Sequence, residues 1–286
     1  MTAQILDGEA VAKSIRDKVA GTVAELKGKN KGVGLGTILV GDDSASARYV
    51  EMKHKDCAEV GIGSVHGNLP ASASTEDVLS KVHEFNSNPD VDAYIVQLPL
   101  PKGIDEQKVL AAIDPAKDAD GLHPFNLGLL VMGRPGPIAC TPAGILELLA
   151  YYGVDPSGKH VAIVGRGLTI GRPLALLLSL KRPGCNAAVS VVHTGVKNSD
   201  EITRTADIVI AAAGSPGVIT ADSIKPGAVV VGAGTSWEGR RLISDLDDSV
   251  YEVASWATPR LGGVGPMTRA MLLANTLEAA KLASLS

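Results

Sequence analysis

A tyrosine and a lysine in the segment SASARYVEMKHK are the first residues whose types and spacing suggest proton chemistry. Tyr49 and Lys53 are four residues apart, which places both side chains on one face of a helix. Such a pair can supply a proton donor and a base, provided that burial or a neighbouring charge lowers the pKa of the lysine. From spacing alone, a surface helix with a solvated lysine is the better interpretation.

Two further segments favour the catalytic interpretation. Gln97 is the one amide in the apolar run AYIVQLPLP, close to the end of a predicted strand and followed by Leu98 and Pro99. The carboxyl ends of strands in α/β sheets are where ligands bind. Asp118 and Asp120 lie in the predicted loop KDADGLHP, for which an ordinary Asp-Gly turn is the alternative.

A glycine-rich turn in VAIVGRGLTIGRP predicts a nucleotide site. Gly165, Gly167 and Gly171 stand between an apolar strand and a helix that begins near Ile170, one residue longer in spacing than G-x-G-x-x-G. Glycines allow the backbone to approach a phosphate, and the helix would point its N–H groups at a pyrophosphate. The alternative is a turn that only links strand to helix, but the α/β pattern around it favours the nucleotide site.

The residues near this turn favour NADP over NAD. An NAD site has Asp or Glu at the end of its second strand, to accept from the ribose 2′-OH. Here that strand ends at His193-Thr194, and the first carboxylate after it is Asp200. Arg166, inside the turn, could contact a 2′-phosphate as a charge-assisted donor, whereas a solvated turn residue is the alternative.

Strand-like and helix-like patterns alternate along the chain and predict parallel sheets with crossover helices. A helix over 140–153 joins two halves, since Thr141 can cap it, Pro142 fits its first turn and Gly153 its end. The predicted strands are 35–40, 93–98, 161–164, 189–193, 208–212 and 229–231, and further predicted helices are 8–27, 47–60, 76–86 and 267–282. The predicted fold is α/β with an N-terminal α/β catalytic domain (1–140), a Rossmann-like nucleotide-binding domain (141–266) and a C-terminal helix (267–286) that returns to the first domain.

The composition excludes several classes of function. A formal net charge of −4 over 286 residues gives no bulk attraction to nucleic acid or anionic membranes. Cys57, Cys140 and Cys185 form no C-x-x-C pair, which argues against disulfides and a metal site. With no signal-peptide pattern and no run of about 18 apolar residues, we expect a cytoplasmic protein.

The motifs YVxxK, VQLPLP, KDxDGxHPxNxG, CTPxG, the VGR…GxP turn and GGVGPMT, in that order, resemble the methylenetetrahydrofolate dehydrogenase/cyclohydrolase family over residues 5–282. The resemblance implies two α/β domains with a cleft between them, and usually a homodimer. It also implies NADP-dependent oxidation of 5,10-methylenetetrahydrofolate to 5,10-methenyltetrahydrofolate, followed by hydrolysis to 10-formyltetrahydrofolate, in one-carbon metabolism. Tetrahydrofolate derivatives are then the expected partners.

The resemblance also implies roles for individual residues. Lys53 would be the central catalytic residue, Tyr49 would lie against the folate, Gln97 would hold Lys53, and Asp120 would bind the pterin. The implied substrate-binding residues are Ser46, Tyr49, Gln97, Leu98, Pro99, Asp120, Gly262 and Pro266. The implied cofactor-binding residues are Gly165, Arg166, Gly167, Ile170, Gly171, His193, Thr194 and Thr235.

Three departures from the family pattern lie on the cofactor side, where the resemblance implies that Arg166 and Thr194 contact the 2′-phosphate. Gly167 stands where the family usually has Ser, which removes one hydroxyl near the phosphate. Gly232-Ala233-Gly234 replaces Asp-Val-Gly, and Arg260-Leu261 replaces Val-Pro. We therefore expect any weakness of the enzyme to appear first in its use of NADP.

Three other interpretations compete with this one. A short-chain dehydrogenase has the same Tyr-x-x-x-Lys spacing, but its glycine turn precedes that pair, and here the order is reversed. A folate- or nucleotide-binding protein without activity is disfavoured, because Tyr49, Lys53, Gln97 and Asp120 are all present. A mainly cyclohydrolase enzyme with weak dehydrogenase activity stays open, given where the departures fall.

Overall fold

The computed structural model describes residues 2–238 and 241–284, which form two compact units. The six-stranded unit consists of the residues up to Ala12, Leu130–Arg134 and Thr141–Thr268. The three-stranded unit consists of Lys13–Leu129, Pro135–Cys140 and the residues from Arg269 onward. In the described part of the chain, no helix is long and apolar enough to span a membrane.

Strands and helices alternate along both units. The strands are β1 (Gln4–Ile5), β2 (Gly34–Val40), β3 (Gly63–Leu69), β4 (Ala93–Val96), β5 (His160–Val164), β6 (Ala188–Val192), β7 (Ile208–Ala211), β8 (Val229–Gly232), β9 (Thr235–Glu238), β10 (Arg241–Ser244) and β11 (Trp256–Ala257). The helices are α1 (Gly8–Gly28), α2 (Ser44–Val60), α3 (Thr75–Ser87), α4 (Glu106–Ala112), α5 (Pro124–Val131), α6 (Cys140–Tyr151), α7 (Gly171–Ser179), α8 (Ser199–Thr203), α9 (Val250–Val253) and α10 (Val264–Ala283).

The six-stranded unit is built on a parallel sheet in the order β1-β11-β8-β7-β5-β6. Apart from His160 at the start of β5, the central strands β5 and β7 consist of buried Val, Ile and Ala, as expected for strands covered on both faces. β9 and β10 form a separate antiparallel pair. The glycine turn follows β5, so it lies at the carboxyl edge of this sheet.

The three-stranded unit has a parallel sheet in the order β3-β2-β4. Residues of α10 belong to its core: Leu272, Leu273 and Leu277 pack in one cluster with Val19 and Leu35. Both units therefore have parallel sheets with crossover helices, and the predicted two-domain α/β fold is confirmed.

The compact units divide the chain differently from the predicted domains at three places. Leu130–Arg134, Met267 and Thr268 lie in the six-stranded unit, and so do the residues up to Ala12. For the residues up to Ala12, the reason is that β1 pairs in parallel with β11, with Gln4 opposite Trp256. A two-residue strand has no periodicity of its own, so the sequence pattern could not reveal this pairing.

Candidate active site

Tyr49 and Lys53 lie on helix α2, which is capped at both ends. The side chain of Asp43 caps the helix by accepting from the Ser46 backbone N at 2.8 Å, and Gly61 ends it in the left-handed region, with φ of 79°. Ser46 thus lies in the first turn. Lys53 is only 5% exposed, so it is a buried amine and the solvated-lysine interpretation is wrong.

Lys53 is held by two neighbours. Its Nζ donates to Gln97 Oε1 at 2.9 Å and lies 4.9 Å from the centroid of the Tyr49 ring. The Gln97 amide is itself fixed, because its Nε2 donates to the carbonyl of Leu98 at 2.7 Å. Burial lowers the pKa of Lys53, and the negative charge of Asp120 opposes that effect. The site therefore makes the neutral form of this amine, the form with a lone pair, more accessible than in water.

The side chain of Tyr49 is a neutral phenol at neutral pH. Burial raises its pKa to about 12, while the nearby guanidinium of Arg269 acts in the opposite direction. The hydroxyl therefore keeps its proton at neutral pH and can donate a hydrogen bond.

The two aspartates of the KDADGLHP loop have different environments. Asp118 is buried and accepts from the backbone N of Gly121 at 3.0 Å, from that of His123 at 2.8 Å and from Asn126 Nδ2 at 2.8 Å. The turn interpretation therefore applies to Asp118, which shapes the loop. Burial raises the pKa of Asp120, and Lys53 opposes that rise. Asp120 is thus electrostatically coupled to Lys53.

Several residues of this site were not found from the sequence. Cys140 is buried, its Sγ donates to the carbonyl of Ala119 at 3.2 Å, and burial together with Asp120 raises its pKa. Arg269 forms an ion pair with Asp56, which lies on the helix that carries Lys53; the distance from Nε to Oδ2 is 2.6 Å. Asn275 donates to the same Ala119 carbonyl at 2.9 Å. No sequence spacing links these residues to Lys53, although Cys140 opens the CTPxG motif.

The glycine turn leaves no room for side chains at two positions. A Cβ on Gly165, whose φ is 129°, would lie 2.1 Å from the Ala212 carbonyl oxygen. A Cβ on Gly171 would lie 2.2 Å from the Gly165 carbonyl oxygen, so this glycine lets α7 pack tightly on the turn. Gly167 differs, because a Cβ there would meet no atom within 4 Å.

The N-terminus of α7 has no side-chain cap, since the residue at that position is Ile170. The backbone N–H groups of the first turn are therefore available to an anion.

Two donors converge beside this turn. His193 Nδ1 accepts from the Gly195 backbone N at 3.1 Å, so a neutral ring carries its proton on Nε2. That Nε2 faces Arg166 Nη1 at 3.3 Å. Two N–H groups this close are best satisfied by an anionic oxygen that accepts from both. The turn, the uncapped helix and these donors together fit a phosphorylated dinucleotide.

The remaining predicted residues lie elsewhere in the two units. Gly262 accepts at its carbonyl from the Glu9 backbone N at 3.0 Å, and Pro266 is in the first turn of α10. Both belong to the six-stranded unit, whereas Lys53 belongs to the other unit. Thr194 follows β6 and is exposed, and Thr235 begins β9. Leu98 and Pro99 come after β4 and Gln97 and are joined by a cis peptide bond.

Comparison with known proteins covers both units. Residues 6–120 match the family described as tetrahydrofolate dehydrogenase/cyclohydrolase, catalytic domain, and residues 139–284 match its NAD(P)-binding domain. The chain is 57% identical over 281 residues to the bifunctional protein FolD of Syntrophotalea carbinolica, covering 98% of this chain and 97% of that protein.

Solved structures agree with this result. The methylenetetrahydrofolate dehydrogenase-cyclohydrolase of Trypanosoma brucei, solved with NADP cofactor and inhibitor, is 37% identical, with a TM-score of 0.95 over 100% of both chains. The bifunctional FolD enzyme of Campylobacter jejuni is 38% identical, with a TM-score of 0.94 over 98% of this chain and 99% of that one. The predicted family and the predicted pair of activities are confirmed. The chain belongs to the tetrahydrofolate dehydrogenase/cyclohydrolase family.

Proposed function

We propose that this enzyme oxidises 5,10-methylenetetrahydrofolate with NADP and hydrolyses the resulting 5,10-methenyltetrahydrofolate to 10-formyltetrahydrofolate. The observation that carries the proposal is a buried lysine, Lys53, whose Nζ is bonded to Gln97 and lies against the Tyr49 ring. Ring opening requires water to add to the methenyl carbon, a proton to leave that water, and a carbon–nitrogen bond to break. A positioned amine with a lowered pKa suits that proton transfer.

The folate chemistry belongs to the three-stranded unit in this proposal. The neutral Lys53 amine accepts the proton, while one of its N–H groups stays on Gln97 and fixes the direction of the lone pair. Tyr49 packs on the folate and donates from its hydroxyl, and Asp120 binds the pterin. Ser46, Leu98 and Pro99 complete the substrate contacts of this unit.

The cofactor is NADP, held by the glycine turn of the six-stranded unit. When bound, it supplies the nicotinamide that accepts hydride from the methylene carbon. Gly165, Gly167 and Gly171 admit the pyrophosphate at the start of α7, with Ile170 at the helix boundary. The remaining contacts come from Arg166, His193 and Thr194 at the 2′-phosphate and from Thr235.

An absorbance assay tests the function directly. The purified protein is mixed with methylenetetrahydrofolate and NADP, then with NAD, and in a separate assay with methenyltetrahydrofolate alone. Activity in both assays, with NADP preferred, is the expected result. Hydrolysis with negligible oxidation would instead identify a mainly cyclohydrolase enzyme. The absence of both would identify a binding protein.

Arg166→Ala should weaken NADP much more than NAD. Arg166 is exposed in the turn and faces His193, so its loss removes a charge-assisted bond worth about 1.5–3 kcal/mol, or roughly tenfold to a hundredfold in affinity. Michaelis constants for both cofactors measure the effect. Arg182→Ala, beyond the opposite end of α7, is the matched control. Equal losses for NADP and NAD would show that Arg166 does not contact the phosphate.

Gly167→Ser should tighten NADP binding without changing hydrolysis. The added side chain meets open space, and its hydroxyl should contribute on the order of 1 kcal/mol, a few-fold in the Michaelis constant for NADP. Gly171→Ser is the contrasting variant, since its Cβ would collide with the Gly165 carbonyl. A change in hydrolysis with unchanged NADP binding would contradict our division into a folate side and a cofactor side.

The enzyme is a cytoplasmic homodimer in this proposal. β3 is an edge strand of seven residues with mostly exposed side chains, and an uncovered edge of this length invites pairing with a second copy. The three cysteines are free, which suits a reducing compartment. Sedimentation at several concentrations measures the oligomeric state, and a monomer throughout would refute the dimer.

A further inference from the structure

Asn275 on helix α10 bridges two backbone segments of the catalytic site. Its Nδ2 donates to the Ala119 carbonyl at 2.9 Å and to the Ile138 carbonyl at 3.0 Å. The same nitrogen lies 3.6 Å from Cys140 Sγ. Ala119 directly precedes Asp120, and Ile138 lies two residues before Cys140. One amide group thus joins the Asp120 loop to the segment that leads into α6.

The helix that carries Asn275 is firmly anchored. Leu272, Leu273 and Leu277 are buried in the core of the three-stranded unit. Arg269, on the same helix, pairs with Asp56 on α2, three residues beyond Lys53. The amide of Asn275 therefore projects from a fixed support, and α10 contacts both α2, which carries Lys53, and the loop that carries Asp120.

We propose that Asn275 is a positioning residue, whose amide fixes the backbone at Ala119 and thereby sets the position of the Asp120 carboxylate relative to Lys53. This inference rests on the proposed role of Asp120 in binding the folate. Asp118 shapes the other side of the loop through Gly121 and His123. At Ala119, the Asn275 amide is the stronger donor to the carbonyl, beside the weaker thiol of Cys140.

Two variants and one control test the proposal. Asn275→Leu removes both donors at similar volume. Asn275→Asp keeps the shape, but an ionised carboxylate only accepts, so it also loses both bonds and serves if the first variant folds poorly. The control is Thr276→Val on the same helix, where a buried hydroxyl donates only to the Leu272 carbonyl at 2.8 Å.

The readouts separate positioning from simple destabilisation. We expect both Asn275 variants to lower kcat/KM for methenyltetrahydrofolate about tenfold, mainly through KM, since the Ala119 carbonyl keeps only the weaker thiol donor of Cys140 and the loop relaxes. The KM for NADP should change less than twofold. Thr276→Val removes one buried side-chain hydrogen bond from the same helix and should leave KM for the folate unchanged. A folate KM within twofold of the parent in both variants, or an equal rise in the control, would overturn the proposal.

Hydrogen exchange gives a second test that does not depend on activity. The Gly121 and His123 amides should exchange faster in Asn275→Leu than in the parent protein or in Thr276→Val. Unchanged protection would overturn the positioning role even if the parent enzyme is fully active. Failure of the proposed function would appear differently, as no turnover by the parent protein while the exchange difference persists.

Discussion

Lys53→Met should abolish hydrolysis of methenyltetrahydrofolate while the protein stays folded. Methionine keeps the length of the side chain but has no proton-accepting nitrogen, and a positioned acid–base group is worth about 10²–10⁴ in rate. The fold should tolerate the change, because Lys53 is 5% exposed and a buried amine carries a desolvation cost that methionine lacks. Turnover of methenyltetrahydrofolate and a thermal melt measure the two effects.

The matched control for that prediction is Lys55→Met. Lys55 is exposed on the same helix and should be replaceable with little change in turnover. Near-normal hydrolysis by Lys53→Met would contradict the role that we assign to Lys53.

Because burial lowers the pKa of Lys53, the rate of hydrolysis by the parent enzyme should rise with pH as the amine loses its proton.

Asp56→Ala should lower the free energy of unfolding by about 3–5 kcal/mol, the usual cost of removing one partner of a buried ion pair. The Asp56 and Arg269 side chains are only 10% and 15% exposed, so the guanidinium would be left without its counter-charge in a poorly solvated place. A urea titration of the variant against the parent protein measures the loss.

Two comparisons isolate the cause of that loss. Asp17→Ala breaks the exposed pair with Lys13, whose side chains are 63% and 66% exposed, and should cost less than about 1 kcal/mol. Asp56→Leu combined with Arg269→Met replaces both charges with apolar groups and should recover much of the stability. A loss in Asp56→Ala no larger than that in Asp17→Ala would mean that the buried pair contributes little.

The sequence identifies the part of the site that depends on local spacing. Tyr49 and Lys53 share a helix face because of the helical repeat, and Gln97 is visible as a polar residue ending an apolar strand. Asp56–Arg269 and Asn275–Ala119 span 213 and 156 positions, so only the folded chain reveals them. Their residue types carry no signal, because an Asp or an Asn on a helix is ordinarily solvated.

The fold, like the site, is predictable where it depends on local sequence and not where it depends on distant contacts. Each strand predicted from an apolar run is present. Such runs suit parallel strands that are buried on both faces, although β6 lies at the sheet edge and is largely unburied. The sequence does not predict β3, since GSVHGNL lacks an apolar run and is largely exposed at the sheet edge. β11, like β1, has only two residues and is defined by its partners alone.

The placement of α10 has a consequence for biosynthesis. The three-stranded unit begins at Lys13 but needs Leu272, Leu273 and Leu277 to complete its core. A ribosome therefore makes the whole stretch up to Thr268 before the segment that closes this core emerges. Until then, apolar surface on α1 and β2 lacks its cover and is exposed to aggregation or chaperone capture. The three-stranded unit, most of which is made before the bulk of the six-stranded unit, therefore finishes folding last, and its lysine pocket is assembled only at that final step.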